Sequence, residues 1–222
     1  MKIDLHIHTT GFSYCGKLSP AEIVSLYSQA GYDAIVITNH FNNISRQWFL
    51  DNGGSDYWKS YFDTIDHAAE LGRKCGLLVL GGFELRFDEN ANDYLVYGMT
   101  REQCQDYESI FAMTPETFST FASERGILFY QAHPFRNGIT VVNPEHLFGI
   151  EVLNTHPRHD SRNDIALARA EKYGLHKIAG SDCHQLPDIG SSAVFTDYPV
   201  RNIDDLVHVL KNDLYTYGVN KW

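Results

Sequence analysis

Five short apolar runs in this chain are each followed within four residues by a side chain able to ligate a metal, and no other feature restricts its fold so sharply. His6-Ile7-His8 closes the run Ile3-Asp4-Leu5. Side chains two apart on a strand share a face, so both imidazoles converge on one point. Asp182-Cys183-His184 repeats the design after Lys177–Gly180. Between these pairs, His40 follows Ala34–Ile37, Glu84 follows Leu77–Leu80 and His133 follows Ile127–Phe129. Side chains issuing from the C-terminal ends of several strands meet where those ends ring a common mouth, as in a parallel barrel.

Helical segments separate the runs. Ser19-Pro20-Ala21-Glu22 is a capping box with proline at the first helical position; it opens a helix with Ile23, Leu26, Tyr27 and Ala30 on one stripe, ending near Gly31. A second helix is expected from Asp56 to Lys74, with Tyr61, Ile65, Ala68, Ala69 and Leu71 as its apolar positions. A third runs from Thr114-Pro115-Glu116 to Gly126, and a fourth spans Asp164–Tyr173 with Ile165, Leu167 and Ala168 facing inward. Gly149–Leu153 reads as a strand, and Ser192–Phe195 with Ile203–Leu210 as a last strand and helix. Such alternation predicts a parallel α/β sheet. One link departs from it. Leu77–Leu85 and Tyr94–Gly98 are only about eight residues apart, whereas a parallel crossover needs roughly a dozen, so these strands should be antiparallel. Asp93 then lies at the face where Glu84 ends.

A chain of 222 residues without repeats or a Pro/Gly-rich linker suits one substantial core, and a single domain over 1–222 is expected. No apolar stretch nears the ~20 residues of a membrane span. Asp4 and His6 interrupt any signal-peptide core, so a cytoplasmic protein without membrane contact is expected. The four cysteines (Cys15, Cys75, Cys104, Cys183) form no CxxC pair and read as reduced thiols. A net charge of −10 without a basic stripe predicts no extended nucleic-acid surface and leaves oligomeric state open.

Imidazoles beside carboxylates suit Zn, Mn or Fe, and no thiolate cluster suggests a structural zinc. One such His alone would read as an ordinary hydrogen-bonded residue; the distributed set reads as a metal site. Its members lie in the stretches Asp4-Leu5-His6-Ile7-His8-Thr9, Ile37-Thr38-Asn39-His40, Gly82-Phe83-Glu84, Ala132-His133-Pro134-Phe135-Arg136, Ile150-Glu151-Val152-Leu153-Asn154 and Gly180-Ser181-Asp182-Cys183-His184. In order, and over nearly the whole chain, these resemble the motifs of the PHP (polymerase and histidinol phosphatase) family. The resemblance implies a distorted (β/α)7 TIM-like barrel with the metal site at its C-terminal mouth, where two or three divalent ions (Zn, Mn or Fe) hydrolyse phosphoesters. It implies that His6, His8, Glu84 and Asp182 hold one ion. Glu84 then bridges to a second, held also by His133 and a residue on the short strand, and a third uses His40, His184 and a residue in the loop after His8. Two positions depart from the family pattern: Asp93 stands where His is common, and Cys15 where Asp or His is common. Carboxylate and thiolate both ligate such ions, while a solvated acid and a buried free thiol are the blander alternatives. Asn39 replaces an acid often found before this His, which bears on the support of His40.

Arg136 has the planar fork that matches phosphate, with Arg158 as a second anchor and Lys17, His159 and Arg162 as further positive charge. Surface ion pairing is the alternative for these cations. His156 is a ligand, an acid for the leaving group, or neither. His67, His146, His176 and His208 read as structural, Cys183 as packing, and Trp48, Phe49, Tyr57 and Trp58 as a hydrophobic anchor for their loop in preference to a lid. The expected function is metal-dependent hydrolysis of a small phosphoester (nucleotide, amino-alcohol phosphate or short oligonucleotide) by a metal-bridging hydroxide, with Glu84, Asp182 and His156 in the catalytic machinery. Two rivals stand beside it. One is an amidohydrolase-like C–N hydrolase, which commonly bridges its metals with a modified Lys that no middle strand end supplies here. The other is a non-catalytic phosphometabolite-binding protein.

Overall fold

The computed structural model describes residues 1–220. Along the chain run β1 (Lys2–Ile7), α1 (Pro20–Gln29), β2 (Ala34–Ile37), β3 (His40–Phe41), α2 (Asn43–Asp51), α3 (Tyr57–Cys75), β4 (Leu78–Gly81), β5 (Phe83–Leu85) and β6 (Tyr94–Tyr97). There follow α4 (Tyr107–Phe111), α5 (Pro115–Arg125), β7 (Leu128–Gln131), β8 (Gly149–Asn154), α6 (Asn163–Tyr173), β9 (His176–Gly180), β10 (Ser192–Phe195), α7 (Ile203–Lys211) and β11 (Thr216–Val219).

The helices start and stop where local chemistry directs. At α1 the Ser19 hydroxyl accepts from the Glu22 N–H, the Glu22 carboxylate accepts from the Ser19 N–H at 2.8 Å, and Pro20 takes the first turn. Asp56 caps α3 and Thr114 caps α5; Gly76 at φ +77° and Gly126 at φ +69° end them in the left-handed region. On α6 the inward face is shifted from the expected one. Ala166 and Ala170 are buried, Leu167 is half-buried, and Ile165 and Ala168 are exposed. The small alanines let α6 lie close on β8, where a branched side chain would hold it off.

The strands form two hydrogen-bonded sheets, ordered β11-β10-β1-β2-β4 and β3-β5-β6-β7-β8-β9. β1, β2 and β4 run parallel, as do β7, β8 and β9. β6 is antiparallel to both β5 and β7, as the short link before it requires. No closed sheet is seen among the described residues, which departs from the expected barrel. The chain leaves the ladder at Thr38-Asn39, between β2 and β3, and again at Gly82, between β4 and β5. The N-terminal half of β1 pairs with β10, through Lys2↔Phe195 and Ile3↔Val194. β1 therefore meets the segment after β9 only at its last residues, where His8 N–H donates to Cys183 O at 2.9 Å and Cys183 N–H to His6 O at 3.2 Å.

Both faces of the strands are buried. Ile35, Val79, Val96 and Phe129 belong to one apolar cluster, and Ile3, Val36, Leu80, Leu95 and Leu128 to another. That double burial accounts for the near-continuous apolar runs in the sequence. No described helix is long and apolar enough to cross a membrane.

Candidate metal centre

Strand ends and the turns beyond them deliver seven of the expected residues to one buried floor. His6 comes from β1 and His8 from just beyond it, His40 from β3, Glu84 from β5, His133 from beyond β7, and Asp182 and His184 from beyond β9. The parallel register of β3 and β5 sets His40 opposite Glu84. His6 Nε2 lies 3.2 Å from His8 Nε2, 3.3 Å from Glu84 Oε1 and 3.4 Å from Asp182 Oδ1. Glu84 also meets His133 Nε2 at 3.1 Å and His40 Nδ1 at 2.6 Å. Cys15, in the loop after β1, places Sγ 3.2 Å from His40 Nε2. Four overlapping groups have ligand atoms within 4.8 Å of one another: His8-Cys15-His40-His184, His6-His8-Asp182, His156-Asp182-His184 and His40-Glu84-Asp93. His133 and Asp182 adopt φ of +28° and +53°, a strained backbone for side-chain-bearing residues that clusters at functional sites.

Hydrogen bonding fixes which nitrogens face the floor, and this tests whether a cation fits. The Thr9 N–H donates to Asn39 Oδ1 at 2.7 Å, which sets the orientation of that amide. Asn39 Oδ1 then accepts from the Ser13 hydroxyl at 3.1 Å. With its proton so committed, Ser13 Oγ accepts from His8 Nδ1 at 2.8 Å. His6 Nδ1 likewise donates to Glu151 Oε1 at 3.0 Å. In the neutral rings both Nε2 atoms are therefore the ones left as lone pairs, turned toward each other and toward two carboxylates. Among the described residues, buried His133 Nδ1 also lacks a hydrogen-bond partner, and His40 Nδ1 and Glu84 Oε2 meet at 2.6 Å without hydrogen-bond geometry. Such a floor is stable only with positive charge inside it, and imidazole and carboxylate donors fit divalent metal ions.

The electrostatics agree. Burial pushes the Glu84 carboxyl up, but His40, His6 and His8 outweigh it and hold it well below the usual carboxylate range. Asp182 is held low against burial by His6, His8, His184 and Arg136. Burial raises the Cys15 thiol, yet hydrogen bonds with His184 and His40 bring it down to about 7. His156 is drawn down to about 4 by burial, then by His184, Arg158 and Arg136 acting against Asp182, so it is neutral at neutral pH.

Above the floor opens a cavity of about 620 Å³, with Lys17, Arg86, Arg136, Arg158 and His159 in its lining. Arg136 donates to Asp182 Oδ2 at 2.8 Å, Asn154 Oδ1 at 3.1 Å and Ser161 Oγ at 3.3 Å. Arg158 grips Asp188 at 2.7 and 2.6 Å and reaches His156 Nε2 at 2.9 Å. Asp93 meets the floor, but both its oxygens accept from Arg86, at 2.8 and 2.7 Å. Arg162 turns outward to Phe135 O and Asn137.

Several supporting residues were not singled out by sequence. Glu151 holds His6, and its other oxygen accepts from the His133 N–H at 2.9 Å. A lone acid inside the apolar run Ile150–Leu153 was the signal for it. Ser13, Arg86 and Asp188 carried no such signal, because the turns that bring them to His8, Asp93 and Arg158 are not marked by residue type. Asn39, singled out in the sequence as bearing on His40, supports His8 through Ser13, and it supports the loop after β1 through Thr9. The remaining histidines lie apart from the floor: His176 stacks on Phe148 at 4.1 Å, His208 on Tyr198 at 5.1 Å, and His67 is exposed. Phe49 packs on Phe12 at 5.0 Å and Trp58 donates to Arg101 O, so this aromatic segment anchors its loop.

A family model described as PHP-associated (PHP_C) matches residues 160–213. No curated protein matches the chain in sequence. Among solved structures, a two-domain protein from Bacteroides vulgatus containing a predicted PHP-like metal-dependent phosphoesterase is similar at TM-score 0.70 and 21% identity, over 98% of this chain and 64% of that one. Endonuclease Q, in complex with a 27-mer duplex substrate with an abasic lesion at the active site, gives 0.65 at 13% identity, over 95% of this chain and 56% of that one. An amidohydrolase from Chromobacterium violaceum, with bound sulfate and no metal, gives 0.57 at 16% identity, over 95% and 97%. The family match and the fold both agree with the PHP motifs read along the chain. The chain spans less than two-thirds of the Bacteroides protein and of endonuclease Q.

One expectation is corrected. The acidic net charge predicted no extended nucleic-acid surface, with a small phosphorylated substrate as partner. Endonuclease Q carries this fold and is seen with a DNA duplex at its active site. Net charge fails as a guide because it averages over the whole surface, whereas the cavity lining locally carries Lys17, Arg86, Arg136 and Arg158.

Proposed function

We propose that this chain is a metal-dependent phosphoesterase built on the PHP fold. The observation that carries the reading is the floor itself: lone pairs of His6 and His8 turned onto the low-lying carboxylates of Glu84 and Asp182, beneath a rim bearing Lys17, Arg136 and Arg158. His6, His8, Glu84 and Asp182 would hold one ion, Glu84 with His133 and Asp93 a second, and Cys15, His40 and His184 a third. Divalent ions bound there would supply Lewis-acid activation of water and neutralise charge on a phosphoryl group.

The protein's own groups do the rest. Arg136, braced through Nη2 by Asn154 and Ser161, fixes Asp182 and, with Nε buried, has Nη1 left for phosphoryl oxygens. Arg158, clamped by Asp188, adds a second fixed positive charge beside His156. A neutral His156, both of whose ring nitrogens face Arg158, suits holding that guanidinium in place better than donating a proton to a leaving group. A phosphoester carried by a nucleotide, an amino alcohol or an oligonucleotide can enter a cavity of about 620 Å³. The same reading takes the two sheets as opened parts of a distorted seven-stranded barrel in one domain, with the cavity at its mouth. Against a C–N hydrolase bridged by a modified lysine, the buried polar residues described include Glu84 and no lysine.

The test is a panel of phosphomonoesters, phosphodiesters, an abasic DNA duplex and amide substrates, run with the chelated protein and with Zn, Mn or Fe restored. Metal-dependent phosphoester turnover is expected. Glu84→Gln and Asp182→Asn should each lower it by roughly 100-fold or more, the scale of a lost electrostatic stabiliser. Full activity in the metal-loaded variants, or turnover of amides alone, would reject the proposal.

A further inference from the structure

Three of the four donor groups on the floor contain a carboxylate; the group of His8, Cys15, His40 and His184 contains none. Its imidazoles are aimed by their other nitrogens. His184 Nδ1 donates to Asp182 O at 2.7 Å and His8 Nδ1 donates to Ser13 Oγ, so both present Nε2. His40, over nine-tenths buried, turns Nδ1 to Glu84 and Nε2 to Cys15 Sγ. The rings of His8 and His184 stack at 4.3 Å, and those of His8 and His40 tilt together at 4.5 Å. The chain is built to deliver the sulfur: at Gly16 a Cβ would fall 2.6 Å from Thr9 O, so only glycine lets the loop fold back over β1 here. Zinc bond lengths in a tetrahedral site place sulfur and nitrogen donors about 3.6 Å apart. Cys15 Sγ and His40 Nε2 are 3.2 Å apart before any ion is considered.

Sulfur with imidazole selects thiophilic ions, whereas the carboxylate-bearing groups beside it accept harder ones. We infer that Cys15, His40 and His184 form a thiophilic site that takes Zn2+ in preference to Mn2+ or Mg2+, while His8, with one free nitrogen, serves the neighbouring His6-Asp182 group. On binding, the sulfur–metal bond forms and the thiol proton leaves to solvent. The centre is then chemically uneven: one position is specific for a soft ion, and the others are permissive. This inference rests on the metal-binding part of the reading above and is independent of which ester is hydrolysed.

The experiment is an anaerobic titration of the metal-free full chain with Co2+, followed by absorption. A near-ultraviolet thiolate-to-cobalt band is expected, displaced by Zn2+ and not by excess Mn2+. Cys15→Ser should lose the band and retain one zinc fewer against a chelator; Cys15→Asp should lose the band and the preference for Zn2+ over Mn2+ but still bind an ion; Cys75→Ser, which removes an exposed thiol, keeps the band and the zinc. Visible cobalt bands without the near-ultraviolet one would overturn the thiophilic site and leave the metal centre standing. Absence of any bound cobalt or zinc would overturn both. Circular dichroism of each variant reports whether a lost band reflects lost fold.

Discussion

Glu151 separates support of a metal from its ligation. One of its oxygens accepts from His6 Nδ1 at 3.0 Å, and the other accepts from the His133 N–H and from Asn154 Nδ2, both at 2.9 Å. One carboxylate thus orients two proposed ligands without touching their metal-facing atoms. Glu151→Gln keeps the volume but puts an N–H donor against donors. Metal affinity should fall roughly 10–100-fold, the usual effect of losing such a partner, with the far-ultraviolet spectrum unchanged. Competition with a chromogenic chelator measures this, and equal affinity in both proteins would show that His6 needs no such partner. Residues of this kind mark the limit of sequence reading. His6, Glu84 and Asp182 were legible because their type and their place at strand ends name a chemistry. Ser13 was not, because its role depends on Asn39 and His8 reaching it from other segments.

Between elements, the closest approach that matters to the site is β9 on β1. A Cβ at Gly180 would stand 2.3 Å from His6 Cβ and 2.9 Å from Glu151 Oε1. Gly180→Ala should therefore force the strand ends apart, costing roughly 1–3 kcal/mol by overpacking and weakening metal binding as His6 shifts. Gly218, in β11, has nothing within 4 Å of such an atom, and its φ lies outside the left-handed region. Gly218→Ala should be neutral, or stabilise by about 0.4–1 kcal/mol through the unfolded chain. Urea unfolding of the pair distinguishes close packing from glycine entropy, and equal effects would refute the contact. At this scale much was readable: a capping box located α1, Thr114-Pro115-Glu116 located α5, and the short link before Tyr94 required β6 to be antiparallel. The inward face of α6 was not, since alanines chosen for close approach carry little hydrophobic signal. β11 was not either, because its pairing depends on β10 alone.

For the whole molecule, the proposed ligands are also cross-links. They come from β1, β3 and β5 and from beyond β7 and β9, so they span both hydrogen-bonded sheets where no closed ladder joins them. With no ion, the floor sets imidazole lone pairs 3.2 Å apart and leaves buried polar atoms without hydrogen-bond partners. Protons can relieve part of this, which accounts for the rise of His6 and His40 above the ordinary histidine range against burial, driven by Asp182, Glu151 and Glu84. Metal should do so better, because one ion satisfies several donors at once and does not bind the unfolded chain in the same geometry. Linkage then fixes the sign: an ion that prefers the folded state raises its stability with concentration, by about 2.7 kcal/mol at 100 times the dissociation constant. For a chain of this length that corresponds to roughly 5–10 °C in melting temperature. Calorimetry of the chelated protein against the zinc- or manganese-restored one should show the shift, growing with the logarithm of free metal. Glu84→Gln, which removes the carboxylate shared by four histidines, should flatten that dependence. Melting curves that coincide with and without metal would mean that the sheets hold together without the floor. The carboxylates at the mouth would then have to be explained by protonated histidines alone.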